Sequence, residues 1–259
     1  MDYWKKLNGP IEKDLEWNFP EQKKNRVAII GGNGNNFSYE IKLAEHLANA
    51  YPIAEVETYL PDSLKKSLPS VPGVNFLEST ESGSFKKSEA LNLAFQTSDF
   101  VIVPGDLSKN SATNIAISEA LKTATAKVVL TRDSIDLLSP NFAEFIEDHH
   151  LFLIASMAQL QKIFRSLLYP KMILLGSPLM PTVETLHKFT LSYEHCTILT
   201  LHEGQVILAS NGDVATTPLN KTNYNTLSLF TGNLPADLAA YNLWNPEKPL
   251  GASISALFH

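Results

Sequence analysis

Residues 99–131 read DFVIVPGDLSKNSATNIAISEALKTATAKVVLT, and the predicted fold rests on this stretch. The apolar run FVIV predicts a buried strand, and Pro104–Asp106 predicts the turn that ends it. A helix is predicted over 112–124 with Asn110 or Ser111 as its cap, and KVVLT then predicts a second strand. A strand, a helix and a strand joined by short connections require a parallel pair with a right-handed crossover.

The same alternation extends outward in both directions. Further strands are predicted at Arg26–Gly32, Ala54–Leu60, Val74–Leu77 and His150–Ala155, and further helices at 38–50, Ser84–Thr97, 157–168 and about 181–194. Cys196–Leu201 and Gln205–Ser210 predict a hairpin through the turn HEG, and 231–243 and 249–258 predict two closing helices. We expect a three-layer α/β/α sandwich with a mostly parallel central sheet and an edge hairpin. One domain is predicted over 1–259, with 1–24 as an N-terminal extension packed on it.

Composition argues against several classes of protein and of binding partner. The chain has 259 residues, 44% of them hydrophobic, and its 21 Lys and Arg against 27 Asp and Glu give a formal net charge of -6. This balance argues against a nucleic-acid partner, which favours a basic excess. The single cysteine, Cys196, excludes an intramolecular disulfide and a Cys-based zinc site, and fits a reducing, cytoplasmic location. The apolar runs are too short to span a membrane, and no signal peptide is predicted, so no membrane partner is expected.

Ligands of parallel α/β sheets bind beyond the carboxyl ends of the strands. The turns predicted at that edge are Gly31–Phe37, Pro104–Lys109, Thr131–Asp133, Ser156–Gln159 and the helix start near Gly232. These five segments are the candidate binding segments of the chain.

Three of these segments contain glycine and are of the kind that contacts an anionic ligand. Gly31–Asn36 follows a strand and precedes a helix, which fits either phosphate contact or a tight turn. Gly105 allows a ligand to approach the backbone, or simply lets the chain leave its strand. Thr231–Asn233 offers backbone N–H groups for an anion hole, or a plain helix cap. His149 and His150 lack a metal-ligand pattern, and no metal site is predicted. The residues alone therefore predict an α/β protein that binds an anionic ligand.

The order of these segments over roughly residues 20–259 resembles the ribokinase-like superfamily, and within it the ADP- or ATP-dependent NAD(P)H-hydrate dehydratases. Arg26–Ala48 is similar to the family's first strand, its Gly-Gly-Ser turn and the following helix. VIVPG at 101–105 is similar to its Gly-Pro-Gly turn, and VVLTRDSIDLL at 128–138 to its Asp-Ala-Asp-Ala-Leu-Asn segment. TGNLPADLAAYNL at 231–243 is similar to the helix that begins with Gly-Thr-Gly-Asp.

The resemblance implies a lyase that repairs nicotinamide nucleotides and depends on a second nucleotide, ADP or ATP. It also implies Mg²⁺ as a cofactor. By position it implies the following roles: nucleotide binding by Thr231, Gly232, Asn233 and His202; substrate binding by Gly32, Asn33, Ser38, Tyr39, Gly105 and Ser156; and catalysis at the position of Asn233, with Asp133 as a second acid. A homo-oligomer is a further expectation.

Several positions depart from the family pattern. The catalytic aspartate is replaced by Asn233, and the first glycine of that motif is Phe230. The substrate motif Thr-Pro-His-Pro-Gly-Glu reads IASMAQ at 154–159, and the Lys-Gly-Ala turn reads LHE at 201–203, so its lysine is lost. The glycine-alanine pair after the first strand reads Ser38-Tyr39. An amide offers no proton acceptor near pH 7, so these changes predict weakened chemistry.

Three functions therefore remain open. The first is a divergent NAD(P)H-hydrate dehydratase with weakened catalysis. The second is a non-catalytic nucleotide-binding or regulatory protein of the same fold. The third is a small-molecule kinase, which also needs a base where Asn233 stands. Asp106, Asp133 and Asp213 are the nearest replacement bases, and Asp133 is preferred because it follows a strand at the predicted ligand edge, although an aspartate there also caps the next helix.

Overall fold

The computed structural model describes residues 2–9, 23–68, 71–174 and 176–259. The contacts of these residues divide into two compact units. The first unit lies within residues 19–138, and the second within residues 1–18 and 139–259. The expectation of one domain over 1–259 stays a prediction.

Ten strands and nine α-helices lie in the described residues. The strands are β1 (Trp4–Lys6), β2 (Lys24–Ile30), β3 (Ile53–Pro61), β4 (Val74–Leu77), β5 (Phe100–Val103), β6 (Lys127–Thr131), β7 (Leu151–Ile154), β8 (Cys196–His202), β9 (Gln205–Ser210) and β10 (Asp213–Pro218). The helices are α1 (Ser38–Ala50), α2 (Glu89–Thr97), α3 (Ser111–Lys122), α4 (Asp133–Leu138), α5 (Met157–Ser166), α6 (Leu179–Ser192), α7 (Ser228–Thr231), α8 (Leu234–Trp244) and α9 (Pro249–Ala256). Short 3₁₀ turns span Asp62–Leu64, Ser139–Glu144 and Leu219–Lys221.

The first unit contains five strands in the order β4-β3-β2-β5-β6, and every pair is parallel. Burial explains this arrangement, since β5 and the last four residues of β2 are fully apolar and completely buried, as parallel strands covered on both faces must be. The helices α1 and α2 contact these strands as crossover connections. The carboxyl ends of β2, β5 and β6 therefore meet at one edge of this unit.

Polar caps start the helices close to the predicted places. Asn110 accepts a hydrogen bond from the Thr113 N–H and begins α3, as the sequence predicts. Ser156 begins α5 with a complete capping box to Gln159. The helix predicted from Ser84 instead begins at Glu89, because Ser88 is the cap and Ser84 is a buried residue of the preceding loop.

The buried face of α1 differs from the predicted one. The pattern Ile41, Ala44, Leu47 and Ala48 predicts the core face, but the fully buried residues of α1 are Glu40, Leu43 and Leu47. The other three predicted positions line a groove of about 140 Å³ with β3 and β4. The core face is therefore rotated, and it includes a carboxyl group.

The second unit has the strand order β1-β10-β9-β8-β7. The predicted hairpin is confirmed, since β8 and β9 pair antiparallel with His202 opposite Gln205. Two unpredicted strands lie beyond the hairpin: β10 pairs antiparallel with β9, and β1 pairs parallel with β10. The strand β1 falls in the predicted N-terminal extension, of which residues 10–22 lie outside the described residues. Among the helices described, none combines the length and apolar character that crossing a bilayer requires.

Candidate functional site

The glycine turns of the first unit are joined by backbone hydrogen bonds at the carboxyl ends of β2 and β5. The Gly32 N–H donates to the Gly105 carbonyl at 3.3 Å. The Asn33 side-chain amide donates to the Asp106 carbonyl at 2.6 Å, while the Asn33 and Asn36 backbones pair with each other. Gly105 has φ +116, and a Cβ there would collide with the Asp133 carboxylate, so glycine is required at this position.

Asp133 follows β6 and fixes the turn at residues 104–107, which follows β5. Its two carboxylate oxygens accept hydrogen bonds from the Asp106 N–H at 2.8 Å and the Leu107 N–H at 3.1 Å. A carboxylate that accepts two backbone N–H groups holds those amides in place. The predicted substitute base is thus a structural acceptor for the neighbouring turn in this structure.

Arg132 and Asp106 form a bidentate ion pair at this turn. The Arg132 guanidinium donates to both Asp106 carboxylate oxygens at 2.8 and 3.0 Å, and it lies 4.9 Å from the centre of the Tyr39 ring. Both paired residues have left-handed backbones, with φ 54 for Asp106 and φ 56 for Arg132. Such conformations are unfavourable for residues other than glycine and occur frequently at functional sites.

We name Asn33, Tyr39, Glu40, Asp106, Arg132 and Asp133 the glycine-turn cluster. Burial, followed by the charge of Asp106, raises the pKa of Glu40 to about 8, while the backbone N–H of Glu40 itself and the charge of Arg132 act in the opposite direction. Burial also raises the pKa of the Asp133 carboxyl, against the hydrogen bond from the Asp106 N–H, and raises the pKa of the Tyr39 phenol. Strongly shifted acids in one cluster are typical of functional sites.

The second predicted region is the start of α8, which we define as residues 231–233. The Thr231 N–H donates to the Leu227 carbonyl at 3.1 Å, and the Gly232 N–H donates to the Ser228 carbonyl at 2.8 Å. The Asn233 carbonyl accepts the first N–H groups of α8, while its side chain makes no capping bond. Two amides of the predicted anion hole therefore donate to the carbonyls of Leu227 and Ser228 at the start of α7.

Asp237 is the nearest carboxylate along the chain to the start of α8, one helical turn further on. It is buried, and its Oδ2 accepts a hydrogen bond of 2.6 Å from the Tyr224 hydroxyl. A buried acid held by a short hydrogen bond serves packing and orientation.

The remaining predicted residues of the second unit serve local structure. His202 is buried at the end of β8, with Nε2 2.6 Å from the Ser177 carbonyl oxygen, and Ser156 caps α5 at the end of β7. Because β7 and β8 are parallel, both residues lie at the same carboxyl edge of this unit. Asp213, named as a substitute base, is exposed at the start of β10.

The structure brings Gly32, Asn33, Tyr39, Gly105 and Asp133 together in the first unit. Ser38 begins the same helix as Tyr39, and its side chain is exposed. The substrate and nucleotide roles predicted for these residues and for those of the second unit remain predictions.

Sequence reasoning missed Glu40 and Arg132. A signal for Glu40 was present, since it stands three residues before Leu43 and seven before Leu47, which is the spacing of one helical face. Arg132 adjoins Asp133 in the quoted motif, but its pairing with Asp106 depends on the adjacency of β5 and β6, which only the fold supplies.

Solved structures show which fold this is. The chain is similar to a ribokinase-like superfamily protein from Enterococcus faecalis V583, with a TM-score of 0.71 and 11% identity over 98% of this chain and 86% of that chain. It is also similar to Bacillus subtilis pyridoxal kinase, solved as an ADP complex, with a TM-score of 0.50 and 12% identity over 91% of this chain and 89% of that chain. No protein-family model and no curated protein sequence matches it.

Identities this low establish the fold alone. They confirm the predicted mostly parallel α/β sheet with helices on both sides. The superfamily part of the sequence resemblance agrees with these structures, whereas its assignment to the dehydratases does not follow from them. The chain therefore has the ribokinase-like fold.

Proposed function

We propose that this chain is a small-molecule-binding protein of the ribokinase-like fold, derived from the NAD(P)H-hydrate dehydratase type, in which the dehydration chemistry is weakened. The observation that carries the proposal is the start of α8. Asn233 supplies an amide where the family pattern has an acid, and the Thr231 and Gly232 amides are engaged by α7 carbonyls. General acid–base help contributes about 10²–10⁴-fold to such reactions, so its loss leaves binding as the dominant property.

The ligand class supported best is an adenine or nicotinamide nucleotide. The glycine turns at the ends of β2 and β5 support a binding role at the edge where α/β sheets hold their ligands. Among the described residues, no group of three or more His, Cys, Asp or Glu side chains forms a site for a metal ion. The Mg²⁺ implied by the resemblance stays a prediction, since Mg²⁺ at nucleotide sites is held by one or two carboxylates together with phosphates.

A titration and an activity assay test the proposal together. We expect ADP, ATP, NADH or NADPH to bind in calorimetric titrations, and hydrated NADH to turn over with ADP or ATP at least 10²-fold more slowly than about 10 per second, the median of enzymes. Asn233→Asp should restore little, because the hydrogen bonds of the Thr231 and Gly232 amides remain. A wild-type kcat of a few per second would show that another residue supplies the base. Absence of binding to all four nucleotides would refute the nucleotide class.

A second candidate is a small-molecule kinase, because the fold is shared with a pyridoxal kinase. A kinase of this fold also needs a base to take the proton of the accepting hydroxyl. Its test is ATP consumption in the presence of pyridoxal, with phosphorylated product followed by mass spectrometry. Rapid product formation would favour this candidate over the binding protein.

A further inference from the structure

Glu40 is a fully buried carboxyl group without an ordinary partner. It is the third residue of α1 and has no solvent exposure, and both of its carboxyl oxygens lack a hydrogen-bond partner among the described residues. Buried acids are nearly always paired or hydrogen-bonded, because an isolated buried charge is very unfavourable. A group of this kind is retained at a cost to stability, which is the pattern expected of a functional residue.

The carboxyl of Glu40 lies directly against the first glycine turn. A Cβ built at Gly31 would be 2.5 Å from Glu40 Oε1 and 2.9 Å from the Gly105 carbonyl oxygen. Glu40 thus occupies the space that a side chain at position 31 would need, next to the point where the turns after β2 and β5 meet. Any change in its charge acts on both turns.

The charged groups around Glu40 come from the ends of β5 and β6. Asp106 and Asp133 oppose its ionisation, and Arg132 is the cation that favours it. Tyr39, its neighbour on α1, also interacts with it. The groove between α1 and β3 lies on another face of α1, where Val56 and Thr58 line it together with the titratable Glu45. Arg132 already donates to both oxygens of Asp106, and no described residue donates a hydrogen bond to the carboxyl of Glu40.

We propose that Glu40 is a proton-coupled positioning residue. While the carboxyl of Glu40 is neutral, Arg132 stays paired with Asp106. When this carboxyl releases its proton to water, the resulting carboxylate draws Arg132 away from Asp106. The Asp106–Arg132 pair holds two backbones in the left-handed region, and Asp106 also carries the carbonyl that accepts from Asn33. Loss of this pairing therefore loosens the 104–107 turn and its contact with the first glycine turn. This inference concerns the state of the first unit and does not depend on the proposed function.

The amides of Asp106 and Leu107 report directly on this turn, because both donate to Asp133. The experiment measures their hydrogen–deuterium protection, corrected for intrinsic exchange at each pH, between pH 6 and 9.5. We expect the protection in the wild type to fall about tenfold for each pH unit between 6 and 8 and to level off above 8, since the ionised fraction rises tenfold per pH unit only below the pKa of about 8. Glu40→Gln, which keeps the shape of a neutral carboxyl, should keep its protection constant.

The matched control is Glu45→Gln, which removes an exposed carboxyl from the same helix and should follow the wild-type profile. Glu40→Met is a second neutral variant, which should show the flat profile of Glu40→Gln. Amides of β2 serve as an internal reference and should stay protected in all four proteins. A flat wild-type profile, or a Glu40→Gln profile that falls like the wild type, would overturn the proposal.

Discussion

The glycine-turn cluster and the start of α8 differ in how their polar groups are satisfied. In the cluster, one carboxyl is buried without an ordinary partner, and an ion pair holds two non-glycine residues at positive φ. At the start of α8, the backbone amides of Thr231 and Gly232 are satisfied within the chain, and Asp237 accepts from a tyrosine hydroxyl. The family resemblance predicts catalysis at the start of α8, whereas the strained and ionisable groups lie in the cluster. A shared fold alone does not decide which of the two regions carries chemistry.

The test with the largest expected effect removes the positive charge of Arg132 from the glycine-turn cluster. Arg132→Met leaves Asp106, which is 8% exposed, without its bidentate partner. We expect the free energy of unfolding to fall by about 3–4 kcal/mol, as when one partner of a buried pair is lost. Urea denaturation measures this loss. Arg165→Met, at an exposed position on α5, should change it by less than about 0.5 kcal/mol. Equal effects would show that the ion pair is of no special importance.

The next test concerns the backbone of the same turn. Gly105→Ala places a Cβ against the Asp133 carboxylate at a positive φ, so we expect a loss of about 2–3 kcal/mol. Gly34→Ala is the matched control, since its nearest neighbours are 3.9 Å away and its backbone is not left-handed. Thermal unfolding of both variants measures the difference. A tolerated Gly105→Ala would mean that the turn relaxes without cost.

The third test uses the unpartnered acid. Because the pKa of Glu40 is raised from 4.5 to about 8, its contribution to stability is fully present below pH 4.5 and is lost as the pH rises toward 8. The side chain of Glu40→Gln does not ionise, so the variant does not lose this stability as the pH rises. We expect the variant to equal the wild type near pH 4 and to be more stable by up to about 3 kcal/mol at pH 7, with a slope of at most about 1.4 kcal/mol per pH unit between 4.5 and 8. Urea denaturation across this range measures the slope, and a pH-independent difference would contradict it.

The smallest effect is expected at the start of α8. Asn233→Asp adds a negative charge near a helix N-terminus, which is favourable, but places it one turn from the buried Asp237. We expect the free energy of unfolding at pH 7 to change by less than about 0.5 kcal/mol. A large loss of stability, reversed at acidic pH, would reveal a second strained cluster at this helix and would remove the contrast between the two regions.

The periodic elements of the fold were predictable from local patterns. The parallel strands β5 and β6, the cap Asn110 and the β8–β9 hairpin all follow from runs of apolar residues and from turn residues. The strand β10 was not predicted, because DVATTP alternates weakly and is buried only through its neighbours. The strand β1 has three residues and little burial of its own, so its existence depends on β10.

The candidate site was predictable only as a set of backbone turns. Gly31, Gly32, Gly105 and Asp133 could be placed at the ligand edge because each follows a predicted strand. The pairing of Arg132 with Asp106 and the isolation of Glu40 depend on three strand ends meeting, which no local pattern contains. Glu40 was also hidden by the usual rule that an acidic residue at the start of a helix faces solvent.

The pairing of β1 with β10 bears on the order in which the chain is completed during synthesis. Trp4 Nε1 donates to Thr216 Oγ1 across 212 residues of sequence. At about 5–20 residues per second, the ribosome needs about 10–40 s to make the partner of a strand that emerged among the first. The residues of the first unit are contiguous and all emerge before this partner exists. The strand β1 must therefore wait as an unpaired segment, exposed to chaperones and proteases, until residues 213–218 have been translated.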